Sequence, residues 1–240
     1  MINAFSNFLK NSGFNLIANL SDKASKSLLL ILISHTLGIS SMGQLSLALT
    51  YLGFGILFSN WGLGNLLIRE TTKDPKLTGK YFYNFIFIRL LLIGIAILLI
   101  NSIIHFFTYN SETILIIRLI SLSLFSTTIV NLIYSVMVAH EVLKPLSLIY
   151  VITSILRLVF SSLVILFNGS IVHVTIVYLS TEFLTLLLSI NLFRKEFSHF
   201  KIDLNIRFAW KQLIRAFPFL WIGLLMMLDN RAETVIISYF

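Results

Sequence analysis

Ten ionisable residues stand inside long apolar runs of this 240-residue sequence: the cations Lys23, Lys26, Arg89, Arg118, Arg157 and Arg231, and the acids Asp22, Glu182, Asp229 and Glu233. A charge at the centre of a bilayer costs about 2.5 to 3.5 kcal/mol on insertion scales, so each needs a partner, a watery cavity or a route to the interface. Two chemistries suit them. Cations gathered at mid-depth from several helices would receive an anionic group such as a phosphate, whereas the same residues paired with acids would hold helices together. Asp22 and Lys26 are four apart with the acid first, the favourable order for a helical ion pair, which leaves Lys23 on a different face as the freer cation. Glu182 lies at nearly the depth of Arg157 in the neighbouring run, so an interhelical pair is expected there. Asp229 and Glu233 share a face that Arg231 does not. The candidates for a cationic substrate cavity are therefore Lys23, Lys26, Arg89, Arg157 and Arg231. Asp22, Glu182, Asp229 and Glu233 are candidates for ion pairing or ion coupling.

These residues need elements to position them, and the sequence supplies seven apolar runs near 14–38, 43–66, 82–106, 113–139, 146–167, 170–193 and 217–240. Each is long enough to span the hydrocarbon core as a helix, and none alternates as a barrel strand would. The expected fold is all-α, a polytopic helical membrane protein of about seven spans. With a cytoplasmic N-terminus, Lys10, Arg69, Lys73, Lys76, Lys80, Lys144, Arg194, Lys195, Lys201, Arg207, Lys211 and Arg215 all fall in inside segments, and the outside segments hold no Lys or Arg. That asymmetry sets the orientation and supports the helix count. At 1.5 Å per residue, Lys23 and Lys26 lie roughly 14 to 18 Å from the cytoplasmic end of their helix and Arg157 roughly 16 Å from its own. Arg89, about 10 Å in, and Arg118, about 8 Å from the outer end, are shallow enough to snorkel.

The longest connection, 194–216, contains "IRFAWKQLIRAF", in which Arg207, Lys211 and Arg215 recur four apart. It is expected to form a basic amphipathic helix on the anionic cytoplasmic surface, with Pro218 opening the next span. The chain thus divides into a six-helix unit (1–193), a linker (194–216) and a first helix of a further unit (217–240). The last run ends at Phe240 without a polar tail, so the sequence is expected to be the first part of a longer transporter.

Composition narrows the chemistry. Hydrophobic residues make up 57% and charged residues 12%, with a mean hydropathy of +0.92, as a membrane protein requires. The sequence contains no cysteine, which excludes disulfides, thiolate metal sites and cysteine nucleophiles. The net charge of +8 is read as loop charge setting orientation, so no nucleic-acid partner is expected. His35, His105, His140, His173 and His199 show no metal-ligand spacing, and neither a phosphate-binding glycine loop nor a catalytic triad is present. No cofactor and no enzyme activity are expected.

"GISSMGQLSLALTYLGFGILFSNWGLGNLLIRETTKD", residues 38–74, resembles the stretch in polysaccharide and O-antigen flippases, of the multidrug/oligosaccharidyl-lipid/polysaccharide exporter superfamily, where a glycine-bearing turn leads into the second span. The matching marks are Gly38, Gly43, Gly62-Leu63 and Ile68-Arg69-Glu70. "FPFLWIGLLMMLDNRAETVIISYF" is similar to the start of that family's second lobe, with Pro218 at its opening and Asp229 and Arg231 in its middle. The resemblance implies a bacterial inner-membrane transporter of two six-helix lobes that flips undecaprenyl-diphosphate-linked repeat units by alternating access through a central cationic cavity. Its implied partners are the lipid-linked oligosaccharide diphosphate, the bilayer and the polysaccharide polymerase machinery. A small-molecule or drug exporter of the same superfamily, or a non-functional fragment, is the alternative.

Overall fold

A computed structural model describes the backbone of residues 2–239 except 199 and 201, and side chains between 13 and 225 except 15, 199 and 201. Its elements are α1 (Ile2–Thr36), α2 (Ile39–Asn60), α3 (Leu63–Lys73), a single 3-10 turn (Pro75–Leu77), α4 (Thr78–Ile104), α5 (Ser111–Ala139), α6 (Lys144–Leu166), α7 (Ile171–Glu196) and α8 (Ile206–Tyr239). No strand occurs among the described residues. Local chemistry marks the ends. Asn110 caps α5 by accepting from the Thr113 amide, Ser170 and His173 form a capping box on α7, and Pro145 occupies the first turn of α6.

Five helices, spanning 39–60, 75–104, 111–139, 144–166 and 171–196, are long and apolar enough to cross a membrane. The charges Asp22, Lys23 and Lys26 set α1, 35 residues long, apart from these five. Two boundaries differ from expectation. The second span stops at Asn60 rather than near 66, because Trp61 and Gly62 take left-handed conformations (φ 45° and 71°) and turn the chain into α3. The basic linker helix and the last span are one helix, α8, with Pro218 inside it. Proline removes one internal hydrogen bond but does not end this helix, whose first three turns are braced by packing: Ala209, Leu213 and Ala216 are buried in the same cluster as Leu63, Leu66 and Phe85.

Adjacent helices pack as α1 on α6, α5 on α2 and α7, and α6 on α7, while α3 and α4 carry the first part of α8. The apolar core falls into two clusters. One lies toward the start of α4 and the end of α5 and includes Phe82, Phe85, Ile133, Leu186 and Phe193; the other lies toward the opposite ends of these helices and includes Ile33, Leu52, Ile100, Ile120 and Val174. Between them α5, α6 and α7 change character, burying Ser126, Thr128, Thr153, Ser154, Arg157, Thr181, Glu182 and Thr185. That polar belt holds the site.

Candidate functional site

Each helix of the site carries a polar stripe at helical spacing within an apolar run: Asn19, Asp22 and Lys26 on α1; Thr127, Asn131 and Tyr134 on α5; Tyr150 and Arg157 on α6; Tyr178, Glu182 and Thr185 on α7. Intervals of three, four and seven put each stripe on one face. With the exception of Tyr178, these residues line a cavity of about 300 Å³ enclosed by the four helices.

Arg157 organises the cavity. Its Nη2 donates to Glu182 Oε1 at 2.6 Å and its Nη1 to Asp22 Oδ1 at 3.0 Å, while Nε donates to Thr181 Oγ1 at 3.3 Å. The guanidinium also lies over the Tyr178 ring, 4.6 Å from its centroid. Asp22 in turn accepts from Lys26 Nζ through its other oxygen at 2.6 Å. The result is a chain of charges, Lys26–Asp22–Arg157–Glu182, running from α1 through α6 to α7. Side-chain exposure is 36% at Lys26 and 29% at Asp22 against 4% at Arg157 and 12% at Glu182, so α1 forms the mouth and α6 and α7 the floor. Ser25, whose hydroxyl donates to the Ser154 carbonyl at 2.7 Å, ties α1 to α6 beside the chain.

Both ion pairs expected from spacing and depth are present, and the structure adds a third, Arg157–Asp22, between residues 135 apart in sequence. The other expected cavity cations are elsewhere. Lys23 is exposed on a different face of α1 and does not line the cavity. Arg118 is also exposed, its Nε donating to Asn101 Oδ1 at 3.2 Å. Arg89 is fully buried behind α2 and α5, donating to the Thr128 carbonyl and to Asn60 Oδ1. Asn60 ends α2, so the guanidinium sits where the carbonyls of that helix present partial negative charge, which offsets burial of a cation without a carboxylate. Gly64 leaves room there, since a Cβ would come 2.7 Å from Ser135 Oγ and 3.3 Å from Arg89 Nη2. Arg231, Asp229 and Glu233 lie outside the described residues.

Among the described residues, the cavity expected to be cationic therefore contains two cations and two carboxylates, which balance formally. Tyr150, Tyr178, Thr127, Asn131 and Tyr134 were not singled out by charge alone; the polar stripes are the signal that marks them.

A second charged cluster joins α3 to α8. Glu70 on α3 accepts from Arg69 at 2.6 Å and from Arg215 of α8 at 3.4 Å. The Arg69 hydrogen bond, aided by the charges of Arg69, Arg215 and Lys73, holds its carboxyl below the usual glutamate range against partial desolvation.

A family model described as polysaccharide biosynthesis protein matches residues 8–240. No curated protein matches the chain. A multi-pass bundle of apolar helices, with a polar cavity set between two apolar clusters and a family match over nearly every residue, leads to one assignment: the chain belongs to the polysaccharide biosynthesis protein family, within the multidrug/oligosaccharidyl-lipid/polysaccharide exporter superfamily.

Proposed function

We propose that this chain translocates undecaprenyl-diphosphate-linked saccharide repeat units, O-antigen units among them, from the cytoplasmic to the outer face of a bacterial inner membrane by alternating access. The observation that carries the reading is Arg157, buried in the polar layer between the two apolar clusters and facing a polar cavity together with Lys26, in a chain of this family. A diphosphate offers several charge-assisted acceptors to a guanidinium and an ammonium. Lys26, the most exposed member of the chain, meets it first, and Arg157 follows by exchanging a carboxylate for a phosphate. Exchange keeps the cation neutralised throughout, which avoids the cost of an unpaired buried charge. Opening the Arg157–Asp22 bond also loosens α1 from α6, so arrival of the anion is coupled to helix packing. The freed Asp22 and Glu182 are then able to take up a proton or a metal cation as coupling ion.

The energy source need not be chemical. A charge crossing the membrane changes in energy by about 2.3 kcal/mol per 100 mV, so a doubly charged anion leaving a negative interior gains roughly 5 kcal/mol. The saccharide moves through the cavity while the lipid tail stays in the bilayer, and the product emerges where polymerase machinery can use it.

The test is transport of a fluorescent polyprenyl-diphosphate saccharide in proteoliposomes. Lys26→Gln is expected to reduce translocation at least about tenfold, equivalent to 1.4 kcal/mol of lost transition-state interaction, while membrane insertion and thermal stability stay unchanged. Undiminished translocation by this variant removes the cavity from the mechanism. The formal neutrality of the site favours one other reading, export of a small solute; it is adopted if proteoliposomes move a lipophilic cation and leave the lipid-linked saccharide in place.

A further inference from the structure

The first half of α8 presents three distinct faces. At 3.6 residues per turn, Ile206, Trp210, Ile214, Phe217 and Trp221 fall within an arc of about 80°, and Arg207, Lys211 and Arg215 occupy the adjoining arc of similar width. Ala209, Gln212, Leu213 and Ala216 lie opposite and are buried against the rest of the bundle. The apolar stripe is not buried. Ile214 is 74% exposed, and Trp210 and Trp221 are each 54% exposed.

We propose that this double stripe is a lipid-binding surface seated in the cytoplasmic headgroup layer, its apolar arc against acyl chains and its basic arc on the phosphates of anionic phospholipid. Helix geometry allows this place. The turns of α8 before Pro218 extend about 18 Å at 1.5 Å per residue, enough to occupy a headgroup layer beside the roughly 30 Å hydrocarbon core. Charge agrees with position: Lys73, Lys76 and Lys80 lie on the same side of the bundle, and the Lys80 ammonium stands over the Phe208 ring of α8 at 5.0 Å. Two tryptophans in an apolar arc that adjoins a basic stripe are the composition that settles at a membrane–water boundary. The surface holds the start of α8 against α3 and α4 by gripping the bilayer, independently of what the central cavity carries.

Because the chain has no native cysteine, a single Ile214→Cys variant of the full chain can take a nitroxide label at one defined position. Reconstituted in phosphatidylcholine vesicles, the label is expected to collide more with oxygen than with a water-soluble nickel chelate. Adding phosphatidylglycerol should increase that preference, and Arg207→Gln/Lys211→Gln in the same background should lose the increase. This pair leaves Arg215, which also contacts Glu70, untouched, so a disturbed α3–α8 contact is not mistaken for lost lipid binding. Preferential collision with the chelate places the stripe in water and overturns the proposal. Shielding from both reagents means that protein, a partner or a second copy, covers the stripe, and overturns it equally.

Discussion

At the scale of single residues, the central question is how a guanidinium is kept charged at mid-depth. Arg157 answers with two carboxylates, a threonine hydroxyl and an aromatic face, the last contributing through its negative quadrupole. Removing one member of such a set leaves its partners uncompensated, at a cost of about 3 to 5 kcal/mol. Arg157→Gln should lower the thermal unfolding midpoint in detergent sharply. Arg157→Met combined with Glu182→Leu, which removes both charges, should recover most of the loss and still abolish translocation. Equal instability of the single and double variants would show that Arg157–Glu182 coupling is not what the single variant loses. Glu70 is a different case, tied by Arg69 and by Arg215 of α8. Its carboxyl is depressed in the folded state, so the stabilisation it brings is complete above the ordinary glutamate pKa of about 4.3 and is lost as pH falls through the folded value. Unfolding followed between pH 6 and pH 3 (roughly the range that brackets this titration) should show wild type losing more stability than Glu70→Gln. Parallel curves would mean that the tie contributes nothing.

At the scale of elements, the α2–α3 turn packs closely against α8. Gly62 has φ of 71°, and a Cβ placed on it would come 2.5 Å from Phe219 Cβ and 2.8 Å from the Ala216 carbonyl. The turn thus fits against α8 next to Pro218, where the helix lacks an amide donor. Gly62→Ala combines a disfavoured backbone conformation with a collision against main chain. It should destabilise by about 1 to 3 kcal/mol, read as a lower unfolding midpoint, together with faster protease cleavage in the 197–205 connection. A neutral substitution would mean that α8 can shift off the turn freely. Asn84 secures the other end of this connection. Its amide nitrogen donates to the Asp203 carbonyl at 2.6 Å and its oxygen accepts from the Asn205 amide at 2.8 Å, so a buried α4 side chain holds the entry to α8.

At the scale of the whole molecule, the polar belt with its Lys26–Asp22–Arg157–Glu182 chain lies between two apolar clusters. In the proposed mechanism the clusters hold the helices while the ion chain is exchanged. Translocation driven by potential alone makes a prediction at this scale: proteoliposomes without a proton or sodium gradient should transport a diphosphate-linked saccharide outward when the interior is made negative with potassium and valinomycin. The rate should fall when the potential is collapsed. Transport that ignores the potential and follows a proton gradient instead would assign Asp22 and Glu182 the coupling role.

Helical class and the Asp22–Lys26 pair were legible in the sequence because they depend on local quantities: run length against bilayer thickness and a four-residue interval on one helix face. The Arg157–Glu182 pair was legible from matching depth on neighbouring runs. Only the tertiary structure decided that Arg157 also takes Asp22, that Arg89 turns away to the end of α2, and that Lys23 stays on the outside. Depth along a helix is proportional to residue number, whereas the direction a side chain faces among its neighbours depends on how helices rotate and pack. For the same reason α8 runs through Pro218: the proline signals a helix start in sequence, and buried Ala209, Leu213 and Ala216 extend the helix behind it.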